Sequence, residues 1–266
     1  MDLLQIIFLA ILQGLTEFLP ISSSAHLLLP SLVLGWADQG LAFDVAVHVG
    51  TLAAVLFYYR ADLLRMAGSW LQSMRGGAVS DDSRLVWYLL AASIPAGLLG
   101  VVGYDFIEAN LRAIPVLATT TLAFGLLLAV AERVSADPGK GRALSLWVAL
   151  IIGLAQALAV IPGVSRSGIT MTAAMCLGLD RQSSARFSFL VSIPVIGGAG
   201  LLQLVDLLES TTPVDWVSLG LGTVVSGVTA YLCIAVFLRL LDRVGLMPFV
   251  YYRVGLAAVL YALWLI

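Results

Sequence analysis

The sequence predicts an all-α polytopic membrane protein built from inverted-topology repeats, with about six transmembrane helices and two re-entrant helical hairpins. Three observations predict it. Of 266 residues, 61% are hydrophobic and only 11% charged, where a soluble domain is about a quarter charged. Six apolar runs approach the roughly 20 residues that cross a bilayer. Two further apolar stretches, 3–37 and 144–179, are broken by polar motifs. Each is too long for one helix and too short for two spans with a loop.

The first broken stretch holds Gln13-Gly-Leu-Thr-Glu-Phe-Leu-Pro-Ile-Ser-Ser-Ser-Ala-His26. From Leu3 to Ala37 its only acidic or basic residues are Glu17 and His26. A charge at mid-membrane costs roughly 2.5–3.5 kcal/mol on insertion scales, so it needs a partner or a task. Pro20 and three serines break the helix there, which lipid tolerates only around protein or a wet cavity. The start, Met-Asp-Leu-Leu-Gln, lacks the positive region of a signal peptide, so none is expected.

The spans then follow at about 41–59, 85–103, 114–132, 187–206, 216–238 and 246–266. The longest polar connector, about 61–84, is expected to lie along the interface. The second broken stretch interrupts this series with Gln156-Ala-Leu-Ala-Val-Ile-Pro-Gly-Val-Ser-Arg-Ser-Gly-Ile-Thr170. Between Leu144 and Leu179 its only charge is Arg166. A shift of 143 places Gln13 on Gln156, Ser22 on Ser165, Ser23 on Arg166 and Ser24 on Ser167. One residue more places Phe43 on Phe187. The chain therefore reads as one integral membrane domain, 1–266, of two related halves, about 1–103 and 144–238.

Orientation follows from Lys and Arg. Connectors near 60–84, 133–143 and 239–243 are basic; those near 104–113 and 207–215 are acidic. Basic connectors inside and acidic ones outside give a consistent alternation with both termini outside. Segment 41–59 then runs inward and its counterpart 187–206 outward, so the repeats are inverted. The hairpins dip in from opposite faces, their tips meet, and Glu17 and His26 can face Arg166. Paired broken segments of this kind point to a midplane site.

Composition excludes other classes. No basic patch suggests nucleic acid, and a net charge of −2 names no partner. Cys176 and Cys233 lie in apolar runs and read as small buried hydrophobes, with no zinc or disulfide spacing.

Arg166, flanked by Ser165 and Ser167, with Gly168 following, has the character of an anion clamp. A half-helix start offers free N–H groups and positive dipole, and guanidinium offers a fork for phosphate oxygens. The plainer reading is an Arg that neutralises Glu17. Glu17 suits a hard divalent cation shared with phosphates. His26 suits a general base, a general acid or a nucleophile, and more plainly a hydrogen-bonded cavity residue. Ser22, Ser23 and Ser24 suit phosphate donors, one of them a nucleophile, or helix caps. Asp44 and His48 share a helix face, where polar packing is preferred to a metal pair. Arg186 and Arg253, near span ends, read as snorkelling. Thr170 reads as bonded within its helix. The site suits a phosphorylated substrate whose remainder partitions into lipid.

Gly14 to His26 together with Pro162-Gly-Val-Ser-Arg-Ser-Gly168 resembles the bacterial undecaprenyl-diphosphatase family, also called the bacitracin-resistance family. The resemblance extends to Pro248-Phe-Val-Tyr-Tyr-Arg253. It implies hydrolysis of undecaprenyl diphosphate to undecaprenyl phosphate, the carrier lipid for peptidoglycan and envelope polymers, and hence bacitracin resistance. It implies a magnesium- or calcium-dependent, multi-pass inner-membrane enzyme, its site opening to the periplasm. Bacitracin would compete by binding the substrate, and a homo-oligomer is left open. Glu17, His26, Ser23 and Arg166 map onto the family's catalytic motif. Ser22, Ser24, Ser165, Ser167, Gly168 and Thr170 are then expected to bind substrate. Glu17 and Gln13 are expected to hold the metal. Many members carry a second glutamate where this chain has Gln13, an oxygen ligand that cannot act as a base. The alternative is a transporter or flippase of the phosphorylated lipid, since inverted repeats with broken helices are common there.

Overall fold

The computed structural model describes residues 1–103, 106, 110–111, 113–209 and 215–265. Of the acidic connectors, Asp105, Glu108 and Arg112 lie outside the described residues, as do the side chains of Asp206 and Glu209.

The first broken stretch forms two short helices, α1 (Leu3–Thr16) and α2 (Ser23–Leu34). The second forms α7 (Leu146–Ala157), a 3₁₀ turn (Leu158–Val160) and α8 (Arg166–Cys176). At 1.5 Å per residue each is about 16–21 Å long, short of a ~30 Å hydrocarbon core. Between and after them run α3 (Leu41–Tyr58), α4 (Arg60–Met74), α5 (Asp81–Val102), α6 (Ile114–Val134), α9 (Arg181–Glu209), α10 (Trp216–Val244) and α11 (Met247–Leu265). Among the described residues six helices, α3, α5, α6, α9, α10 and α11, are long and apolar enough to cross a membrane, as the sequence predicts. No strand is formed among the described residues; a single bridge joins Ala136 to Asp180. The polar 61–84 connector is mostly the helix α4, held to α5 by Arg65–Asp82 and to α9 by Asp62–Arg186.

Local chemistry sets several boundaries. Asp2 and Gln5 form a capping box that starts α1. Ser80, Ser145 and Asp215 accept from N–H groups in the first turns of α5, α7 and α10.

The apolar faces explain the assembly. Along α10, Gly222, Ser226, Ala230, Ile234, Phe237 and Leu241 are buried. Val224, Val228, Leu232 and Val236, four apart on the other face, are exposed. Such an exposed apolar stripe belongs against lipid, because only hydrocarbon leaves it without cost. The buried face packs on α1 and α3, while α5 of the first half packs on α7 and α9 of the second. The halves are thus interlocked, each hairpin leaning on a long helix of the other half. Small residues permit the closest approach: a Cβ on Gly50 would run into the hydroxyl of Ser226 and the carbonyl of Thr223.

Two cysteine expectations are corrected. Cys176 is exposed where α8 ends, and Cys233 is only half-buried, its Sγ 3.4 Å from the Leu15 carbonyl. An apolar run buries only the face of its helix that meets other helices, and neither side chain lies wholly on that face.

Candidate active site

The two hairpin tips are built alike. Ser22 and Ser165, aligned by the shift of 143, are the only described non-glycine residues with positive φ, at 74° and 70°. That conformation costs on the order of 1–3 kcal/mol at a serine, so the surroundings must enforce it. The Ser22 hydroxyl lies 3.1 Å from that of Ser24, and the Ser165 hydroxyl 3.3 Å from that of Ser167. The helices that follow start at Ser23 and Arg166, again equivalent positions. Ser165 caps its helix through the Gly168 N–H; Ser22 makes no such cap, so the cap reading holds for one tip only. Gly163, at φ 91°, lets the second tip press on Thr120 and the Leu117 carbonyl of α6.

Glu17 is buried where the tips meet. Its Oε1 accepts from Nη2 of Arg166 at 2.7 Å. Its Oε2 accepts from the Ser23 hydroxyl at 2.7 Å and from Gln13 Nε2 at 3.0 Å. The first residues of two half-helices therefore each hold one oxygen of a single carboxylate. Both helix N-termini add positive potential there. Arg166 also donates to the Ser188 carbonyl at 3.0 Å and stands 5.6 Å over the Phe18 ring. The Phe18 ring in turn packs edge-on against Phe189.

Other residues singled out by the sequence lie near this pair. Ser167 donates to the Leu19 carbonyl, tying the second tip to the first. Thr170 bonds back to the Arg166 and Ser167 carbonyls, as expected, and its hydroxyl lies 2.7 Å from that of Ser188. His26 is buried; its Nδ1 lies 2.7 Å from the Ser22 carbonyl and its Nε2 2.7 Å from the Tyr252 hydroxyl. A carbonyl only accepts, so Nδ1 carries the proton and a neutral ring presents an unprotonated Nε2 to Tyr252. The rings of His26 and Tyr252 are stacked, 10° from parallel. Ser23, one turn before His26, gives its hydroxyl to Glu17 instead of the imidazole.

Three residues were misread or missed. Arg253 does not snorkel. It is wholly buried and donates to the carbonyls of Pro20, Gly163, Val164, Thr120 and Thr121. Pro20 belongs to the first tip and Gly163 and Val164 to the second, so one guanidinium clasps both tips against α6. Five fixed N–H donors meeting backbone acceptors replace water there, which is what makes burial of the charge tolerable. His48 is not spent on helix packing alone: its Nε2 stands 3.5 Å from Glu17 Oε2. Tyr252 carried no signal beyond lying next to Arg253.

Among the described residues no three of His, Cys, Asp and Glu gather as a metal cluster. A hard cation shared with a phosphorylated ligand needs only one or two protein carboxylates. Glu17 supplies one. Gln13 is fully buried and its Oε1 has no hydrogen-bond partner, an oxygen with a ligand's freedom.

These features define a polytopic helical membrane protein whose two hairpin tips enclose a carboxylate–guanidinium centre with a tethered histidine. The chain belongs to the bacitracin resistance protein BacA family, whose profile matches residues 6–259. It is 55% identical over 261 residues to an undecaprenyl-diphosphatase of Teredinibacter turnerae, covering 98% of this chain and 99% of that one. It is 51% identical over 263 residues to an undecaprenyl-diphosphatase of Saccharophagus degradans, covering 99% and 98%. It is 54% identical over 267 residues to undecaprenyl-diphosphatase 2 of Stutzerimonas stutzeri, covering 99% of each chain.

Proposed function

We infer that this protein hydrolyses undecaprenyl diphosphate to undecaprenyl phosphate and inorganic phosphate, at the junction of the two tips. The observation that carries the reading is the Glu17–Arg166 contact of 2.7 Å, buried at the paired N-termini of α2 and α8 in a chain over half identical to named diphosphatases.

Arg166 has a second bond only to a carbonyl, so an arriving phosphate can compete for its fork. N–H groups at the two helix starts add neutral donors, and the Ser23 hydroxyl stands beside them. His26 Nε2, exchanging the Tyr252 hydroxyl for the attacking water, takes a proton from that water as the bond from the terminal phosphorus to the bridging oxygen breaks. Undecaprenyl phosphate leaves with that oxygen, and orthophosphate carries the oxygen of water. Catalysis of this kind rests on positioning and charge stabilisation. Glu17 and the amide oxygen of Gln13 would hold magnesium or calcium, which would supply neutralisation of the diphosphate charge. Tyr252 keeps His26 oriented, and Arg253 keeps the tips together.

The inverted orientation drawn from the charge count brings the hairpins in from opposite faces, with the site opening to the periplasm. The polyprenyl tail passes sideways between helices into the bilayer. Relief of bacitracin inhibition follows, since that antibiotic sequesters the diphosphate substrate.

Purified protein in detergent, given undecaprenyl diphosphate, tests the function. Chelator-sensitive phosphate release is expected. A transporter would bind the lipid and release no phosphate, because detergent abolishes transport and spares hydrolysis.

A further inference from the structure

We propose that His48 is a nitrogen ligand of the divalent cation, so that the site formed with Glu17 and Gln13 favours manganese over calcium. The inference deepens the functional reading above and rests on its metal-bearing site.

The geometry points there in three ways. First, His48 Nδ1 lies 2.6 Å from the Asp44 carbonyl. That oxygen only accepts, so Nδ1 carries a proton and a neutral ring has its lone pair on Nε2. An imidazole held by its other N–H on a backbone carbonyl is the usual posture of a metal-ligating histidine. Second, Nε2 stands 3.5 Å from Glu17 Oε2. That is long for a hydrogen bond, but two ligands about 2.1 Å from one ion lie roughly 3–3.5 Å apart. Third, Gln13 has its Nε2 on the same Glu17 oxygen, while its buried Oε1 has no partner. The two ends of an amide exchange by a half-turn, and hydrogen-bond networks alone choose between them. That half-turn brings an oxygen, in place of a donor, beside Glu17 Oε2. Glu17 would then bridge Arg166 on Oε1 and the cation on Oε2.

His48 lies on α3, outside both broken motifs, and its side chain is 35% exposed. An imidazole nitrogen changes the metal preference. Carboxylate and carbonyl oxygens suit magnesium, calcium and manganese alike, so the added imidazole nitrogen, a ligand suited to transition ions, is what would separate manganese from calcium. The rival account is a plain ion pair between a protonated His48 and Glu17, which involves no metal.

The test uses Mn²⁺ alone, without substrate, on the purified full chain in detergent. Pulsed electron paramagnetic resonance of bound Mn²⁺ is expected to show coupling to one imidazole nitrogen, lost in His48→Gln. Calorimetric titration is expected to show at least a tenfold rise in the Mn²⁺ dissociation constant for His48→Gln, with Ca²⁺ binding changed less than twofold. Thermal unfolding of both proteins checks that the variant is folded. The wild-type spectrum decides by itself: bound Mn²⁺ without nitrogen coupling, or no Mn²⁺ binding, overturns the proposal. Equal weakening of both ions overturns the selectivity. Hydrolysis without nitrogen coupling would leave the function standing and remove His48; coupling without hydrolysis would do the reverse.

Discussion

Nη2 of Arg166 donates to Oε1 of Glu17 at 2.7 Å, although the two residues are 149 positions apart. The contact joins the tips of two hairpins that each reverse at a serine with positive φ. Removing Glu17's charge while keeping its volume therefore isolates the carboxylate. Glu17→Gln is expected to lose at least a hundredfold in turnover even at high magnesium, in line with losing one preorganised electrostatic contact. Gln13→Glu is expected to stay active with a lower magnesium midpoint, because hard cations favour carboxylate oxygens. A magnesium titration of the three proteins checks both; an unchanged midpoint in Gln13→Glu would remove that residue from the metal site.

Arg253 donates to carbonyls on both tips and on α6. Lysine has three donors at one point and cannot replace a five-donor fork. Arg253→Lys and Arg253→Ala are both expected to be destabilised by on the order of 3 kcal/mol or more, because each buried carbonyl left unpaired has its own cost. Thermal unfolding in detergent measures this. A wild-type midpoint in Arg253→Ala would mean that the tips hold together without the clasp.

Tyr252 meets His26 through both its hydroxyl and its ring face. Tyr252→Phe keeps the stack and removes one hydrogen bond, worth about 1 kcal/mol. Turnover is expected to fall about fivefold to tenfold with KM little changed, and the pH at half-maximal rate is expected to move. A merely structural tyrosine would leave that pH where it is.

The charge count alone carries the orientation. On a background lacking Cys176 and Cys233, Val217→Cys is expected to be labelled from outside intact cells and Gly77→Cys to be spared. The reverse pattern would invert the assignment of faces.

Much of this was legible in the chain because a membrane segment is otherwise so uniform. Polar breaks in apolar runs mark both tips, and the 143-residue shift pairs Ser22 with Ser165, which share one backbone geometry. All six spans lie where the apolar runs put them, to within a few residues at most ends. What stayed hidden depends on neighbours far away in sequence. Arg253 near a span end looks like a snorkelling side chain until five carbonyls from three segments surround it. His48 looks like half of an i, i+4 pair until α3 sets it against Glu17. Ser23 and His26 sit within one turn, yet the carboxylate of Glu17 claims the hydroxyl.

In the proposed mechanism the guanidinium joining the two tips is the diphosphate clamp. Phosphate release from undecaprenyl diphosphate by Arg166→Lys, on protein shown to be folded, tests it most directly. Lysine keeps the charge and loses the bidentate fork. A fall in kcat/KM of at least a hundredfold is expected, about 2.7 kcal/mol of transition-state stabilisation. Activity within a few-fold of wild type would contradict it.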